Sequence, residues 1–175
     1  MSPQRYDRFA VILHWTVGLA VLGQFALGWW MLELPKGGDG TRAWWFNVHK
    51  SIGITLAAFV VLRLSWRATH AAPALPAGMP AWQRLAASAS HAGLYACMLI
   101  LPLSGYLGSS FSRYPIKYFG MPLPHWGWEW AAAKNLMSAV HETAAWALAA
   151  LITLHVGAAL WHLMRGDGVI RRMWA

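Results

Sequence analysis

Charge is what this sequence has least of. Only 11% of its 175 residues are Asp, Glu, Lys or Arg, against about a quarter in an ordinary soluble domain. Acids are rarer still, 6 against 14 bases. With 58% hydrophobic residues and a mean hydropathy of +0.39, an ordinary water-soluble domain is excluded and a small polytopic membrane protein is expected. Cysteine is nearly absent. Cys97 stands alone in an apolar run, which excludes an intrachain disulfide, a cysteine-ligated iron–sulfur cluster and a CxxCH site for covalent haem. Any haem would be held non-covalently. There is no internal repeat or low-complexity segment, and the length suits one domain over residues 1–175. The net charge of +8 is not gathered into a basic run or a basic helix face. Nucleic acid is therefore not an expected partner, whereas membrane lipid is.

What is present is apolar sequence in four long runs, near residues 9–32, 46–66, 81–110 and 138–164, each long enough to cross a bilayer as a helix. The first is too long for a signal-peptide core and lacks a small-residue cleavage pattern, so it is expected to stay uncleaved. The glycine-rich PKGGDG breaks the chain after it, and a Pro/Ala linker over Thr69–Pro80 separates the second run from the third. Pro102 is expected to kink the third helix. Residues 111–134 form the longest expected connection, with PLPHWGWEW placed at the membrane interface. Of 13 tryptophans, Trp29, Trp30, Trp44, Trp45, Trp126, Trp128 and Trp130 fall at helix ends or in loops, where aromatic belts sit. Arg5, Arg8, Arg63, Arg67, Arg84, Arg165, Arg171 and Arg172 lie on the side of the termini. Lys36, Arg42, Lys50, Arg113, Lys117 and Lys134 lie on the other. This bias predicts an all-α four-helix bundle with both termini in the cytoplasm.

Ionisable residues in a membrane helix are costly and read first as functional. The last run, SAVHETAAWALAALITLHVGAALWHLM, holds His141, His155 and His162. His141 and His155 are 14 residues apart, which returns to within roughly 40° of one face and separates them by ~21 Å along the axis. One face thus presents an imidazole near each membrane surface. By depth, His49 and His141 fall in the outer leaflet, and His14, His91 and His155 in the inner. Two b-type haems stacked across the membrane need four imidazoles, two per leaflet, and the chain supplies one more than that. Small residues follow four positions after most candidates: Gly18 after His14, Gly53 after His49, Ala145 after His141 and Ala159 after His155. Tyr95 follows His91. Room beside the ligand thus favours His49 with His141 and His14 with His155. The bland alternative is helix–helix hydrogen bonding by the histidines, with the small residues serving plain packing. A bare metal such as zinc is less well served, because acids and thiolates are scarce at these depths.

The stretches YDRFAVILHW, NVHKSIGI, VLRLSWR, SHAGLY, YFGMPLP and VHETAAWAL…LHVGAALWH occur in the order found in bacterial cytochrome b561, and the chain resembles that family over nearly its whole length. A more distant likeness is to the cytochrome b subunits of nickel–iron hydrogenases and formate dehydrogenases. The resemblance implies a four-helix bundle in the bacterial inner membrane with two b haems. It implies the ligand pairs His14–His155 and His49–His141, and electron exchange with membrane quinone. It also implies an oxidoreductase resembling a superoxide oxidase, which passes electrons from superoxide at the periplasmic face to quinone.

Other residues acquire expected roles on that plan. Lys50, beside His49, is the candidate for attracting a small anion, in an outer-face charge set that also includes Glu33, Asp39, Glu129 and Glu142. Arg63 lies 14 residues after His49 and is placed to pair with an inner haem propionate, or else with lipid phosphate. His91 and His162 are candidates for quinone binding or proton delivery. Two further readings compete: an electron-transfer anchor fed by a periplasmic protein donor, and a haem-free transporter working through a histidine relay.

Overall fold

The computed structural model describes residues 5–37, 40–74 and 78–173. Four long helices account for most of them: α1 (Arg8–Glu33), α2 (Thr41–Thr69), α3 (Ala81–Ser110) and α4 (Ala131–Arg165). All four are long and apolar enough to cross a membrane. Two short strands, β1 (Ile116–Tyr118) and β2 (Met121–Leu123), lie between α3 and α4, and a 3₁₀ turn (Ile170–Met173) follows α4. The described parts of Thr69–Pro80 and PKGGDG are non-helical, while Asp39, Leu75–Ala77 and Trp174–Ala175 lie outside the described residues.

The helix ends are set by local chemistry. Asp7 caps α1 by accepting the Ala10 N–H at 2.9 Å, while its other oxygen accepts the Trp66 indole N–H at 3.0 Å and ties α1 to the end of α2. Gly40, at φ 85°, enters α2 from the left-handed region, and Gly166, at φ 64°, ends α4 there, a conformation that costs glycine no Cβ clash. α3 runs unbroken through Pro102, although the ring removes the N–H that would reach Met98.

Two boundaries differ from expectation. α2 begins at Thr41 rather than near 46, and α4 at Ala131 rather than near 138. Hydropathy marks the part of a helix that lies in lipid, not where the helix starts. Ala131–Ala133 and Leu136–Met137 are good helix formers that prolong α4 past the apolar run. The connection therefore shrinks to residues 111–130, and it carries the hairpin, which hydropathy gave no sign of. The turn of that hairpin is Phe119–Gly120, both with positive φ (45° and 94°), which suits the twist of a two-residue hairpin loop. Pairing runs Ile116 with Leu123, Lys117 with Pro122 and Tyr118 with Met121. The hairpin sits on α2 beside His49. Fully buried Ser51 accepts the Phe119 N–H at 2.9 Å and donates to the Asn47 carbonyl at 2.7 Å, and Tyr118 meets Thr55 at 3.1 Å.

α3 and α4 pack most extensively, followed by α1 on α2 and α2 on α3. The buried core is a layer of Val17 and Val21 from α1, Leu56 and Val60 from α2, Cys97 from α3 and Leu148 from α4. Leu148 is seven residues from both His141 and His155, so the apolar layer lies between the two histidine levels. The outside is as apolar as the inside. Ile12, Leu19, Trp146, Leu154 and Met164 are all exposed, as expected of a surface solvated by lipid. At one end of the bundle the start of α1 meets the segment after α4: the Trp15 indole donates to the Met173 carbonyl at 2.9 Å, and the Tyr6 N–H to that of Arg172 at 3.3 Å.

The Asp7 carboxyl titrates below its ordinary value of 3.8, chiefly because the Trp66 indole donates to it. A depressed folded-state value means that the cap is intact above the unfolded value and is lost as pH falls through the folded one. Asp7→Ala is expected to cost about 0.5–2 kcal/mol at neutral pH. The gap between variant and wild type should close as pH drops below 3.8. Denaturation midpoints in detergent at pH 7 and pH 3, for both proteins, check this.

Candidate functional site

Five histidines project from the helices toward the bundle interior at two levels. At the end that holds the termini, His14 of α1 faces His155 of α4, with ring centroids 6.1 Å apart. At the other end His49 of α2 faces His141 of α4 at 6.4 Å. All four rings are half-buried. The fifth, His91 of α3, lies 5.4 Å from His155. A metal held between two imidazoles, with bonds of about 2 Å and rings whose centres lie about 1.1 Å behind the nitrogen, separates the centroids by ~6.2 Å. The His14–His155 and His49–His141 spacings fit that value, while the His91–His155 contact is too close. Among the described residues no group of three or more His, Cys, Asp or Glu side chains is placed to hold a bare ion.

Each ring also needs its second nitrogen directed. A metal-bound histidine donates its remaining N–H to a nearby acceptor, which fixes the tautomer. His141 meets this condition: its Nδ1 lies 2.9 Å from the Leu101 carbonyl, which can only accept, so the proton is on Nδ1 and Nε2 is free. Ser104 is 3.3 Å away on the same side. His14 is arranged differently. Arg63 Nη2 lies 3.1 Å from His14 Nδ1, and a guanidinium can only donate. The proton of a neutral His14 is then on Nε2, and metal ligation there requires Arg63 to move off Nδ1 toward another acceptor. The rest of Arg63 is held by the Tyr95 hydroxyl at 2.9 Å and the Ala10 carbonyl at 3.1 Å, so its head stays beside His14 while α1, α2 and α3 are linked through it. Arg63 thus reaches the level predicted from its spacing, and Tyr95, which the sequence marked only as bulky, anchors it.

The glycines that make room are partly other than those expected. Gly18 is exposed, and a Cβ there would meet nothing within 4 Å. Gly53 opens toward Gln24 instead of an imidazole, with a Cβ there 3.5 Å from Gln24 Nε2. The rings at this level rest on Gly28 and Gly105: a Cβ would come within 3.5 Å of His49 and 3.3 Å of His141, respectively. Neither glycine lies four residues from a ligand on the same helix. Sequence spacing sees one helix at a time, and these contacts run between helices.

The remaining candidates are spread about the two ends. Lys50 follows His49 on α2, half-buried. His162 lies at the last turn of α4 and pairs through Nδ1 with Asp167 at 2.5 Å, a partner that the sequence reading missed. The hydrogen bond from His162 holds the Asp167 carboxyl below the usual range. Glu142 is exposed, and Asp39 of the outer-face charge set lies outside the described residues.

Because a Cβ on Gly105 would meet the His141 ring, Gly105→Val is expected to displace that imidazole and to weaken several-fold any metal centre that the His49–His141 pair would hold. Titration of the purified variant with haem, followed by low-spin absorbance, measures this.

The chain was compared with known proteins. The profile of the prokaryotic cytochrome b561 family matches residues 5–175. Cytochrome b561 homolog 2 of Escherichia coli (strain K12) is 35% identical over 179 aligned residues, covering 98% of this chain and 92% of that protein. Cytochrome b561 homolog 1 of the same strain is 30% identical over 174, covering 97% and 96%. Four membrane-length helices with imidazoles paired at both ends, and a family match over almost the entire chain, lead to one conclusion: the protein belongs to the prokaryotic cytochrome b561 family, as a multi-pass bacterial membrane protein with a b-type cytochrome's role in electron transfer.

Proposed function

We propose that this protein is an inner-membrane oxidoreductase that carries two b haems, takes electrons from superoxide at the periplasmic face and delivers them to membrane quinone. The observation that carries the reading is the presence of two imidazole pairs, 6.1 and 6.4 Å apart, on either side of an apolar layer. Haem supplies one-electron chemistry, which lets a one-electron donor serve a two-electron acceptor. The overall reaction balances as two superoxide anions oxidised to two dioxygen molecules, with one quinone taking both electrons and two protons to become quinol.

The residues divide the work by position. His49 and His141 would hold the iron at the outer level, and His14 and His155 that at the inner. Glycines 28 and 105 give the outer rings their room, and the Leu101 carbonyl fixes the His141 tautomer. Arg63 would offer its guanidinium to an acidic group of a bound haem, and leaving His14 Nδ1 would free that nitrogen for the proton of the ligating tautomer. Lys50 attracts the anionic substrate toward the outer pair. His91, packed against His155, and His162, oriented by Asp167, bind the quinone oxygens or deliver the two protons at the inner side.

A reduced-minus-oxidised spectrum of the purified protein, with haem counted per chain, is expected to show two b-type haems. One haem, or none, would overturn the ligand assignment. Given superoxide, the loaded protein should reduce a soluble quinone, and failure to do so would leave electron transfer from a protein donor in its place. Lys50→Glu is expected to slow the reaction several-fold at low ionic strength, and the difference should shrink as salt rises. Initial rates across a salt series test this.

A further inference from the structure

Gln24 carries the only side-chain amide of α1 and lies well inside the apolar run. A polar residue at that depth needs a reason. Its Nε2 donates to the His49 carbonyl at 2.8 Å. A carbonyl can only accept, so this bond identifies which end of the amide is nitrogen and leaves Oε1 as a pure acceptor. Oε1 is buried and has no partner among the described residues, and the same is true of His49 Nδ1. These two unpartnered atoms belong to residues already joined by a hydrogen bond from the Gln24 side chain to the His49 main chain. The surroundings hold them together. One turn beyond Gln24, a Cβ on Gly28 would lie 3.5 Å from His49 Cε1 and 3.9 Å from its Nδ1, so this edge of the ring faces α1. One turn beyond His49, a Cβ on Gly53 would lie 3.5 Å from Gln24 Nε2, so α2 closes over the amide.

Two of the other ligand candidates have a group placed at Nδ1. His141 has the Leu101 carbonyl, and His14 has Arg63. His49 alone of these three lacks one. A metal-bound imidazole donates its second N–H, and a buried donor without an acceptor is destabilising. We infer that Gln24 is the positioning residue of His49: its amide nitrogen holds the His49 main chain, and its amide oxygen accepts the Nδ1 proton when Nε2 ligates iron. This rests on the assignment of His49 as an axial ligand and is independent of which donor and acceptor the protein serves. Accepting that proton makes the imidazole a stronger electron donor and favours ferric iron, so Gln24 holds the outer potential down.

The test is a redox titration of the haem-loaded protein, with the outer wave identified as the one lost in His49→Ala. Gln24→Leu removes the acceptor and is expected to raise the outer midpoint. Gln24→Glu supplies a stronger acceptor and should lower it. In Gln24→Glu the largest EPR g value of the outer ferric haem should also fall, as a more imidazolate-like ligand requires and as a distant negative charge does not. The inner wave should stay in place in both variants. An unmoved outer wave, shifts of equal size in both waves, or shifts of the same sign in the two variants would overturn the inference. If Gln24→Leu does not assemble, the Gln24→Glu shift and its g value decide alone. A wild type that binds no second haem would overturn the ligand assignment and this inference together, whereas two haems with an unmoved outer wave would overturn this inference only.

Discussion

A polar side chain inside a bilayer has no water to turn to, and that requirement organises this protein. Five imidazoles lie on the four spanning helices, and four of them face each other in pairs between helices. α4 supplies the framework, because His141 and His155 stand on nearly one face ~21 Å apart. α2 reaches the first through His49, and α1 reaches the second through His14. Leu148, midway between, fixes the position of the apolar layer that keeps the two levels apart. α3 packs chiefly on α4 and α1 on α2, and the imidazole pairs face each other between these two sets.

The two ends satisfy the same need with different chemistry. Around the His49–His141 pair lie the Leu101 carbonyl, Ser104, the Gln24 amide and glycine surfaces, with half-buried Lys50 next in sequence to His49 and the hairpin seated on Ser51 alongside. The inner pair faces a guanidinium, that of Arg63, braced by Tyr95. Positive charge near a haem favours its reduced form, while hydrogen-bond acceptors on a ligand favour the oxidised form. The inner end is also where the chain closes on itself, through Asp7 with Trp66 and Trp15 with Met173.

The bundle was legible because hydrocarbon imposes length and apolarity on any helix that crosses it, and the histidine levels were legible because helical rise converts residue number into depth. The extension of α4 to Ala131 was not, since helix propensity outside the bilayer leaves no mark on hydropathy. The hairpin escaped notice for a related reason: two three-residue strands held by Ser51 and Thr55 depend on partners some 65 positions away. Asp167 was overlooked because its partner lies across the end of a helix, where the chain reverses direction at Gly166.

By itself, then, the sequence determined the number of spans, the absence of covalent attachment or disulfides, and the depth of every histidine. These follow from composition and from the 1.5 Å rise of a helix. Tertiary structure decided which neighbours share a level. Gly28 and Gly105 rather than Gly53 lie against the outer imidazoles, Tyr95 braces Arg63 instead of obstructing a cofactor, and Gln24 reaches the back of His49. The physical reason is that rotation of each helix about its axis, and the side-chain contacts across the crossings, are settled jointly by all four helices. Depth is a property of one helix, and contact is a property of two.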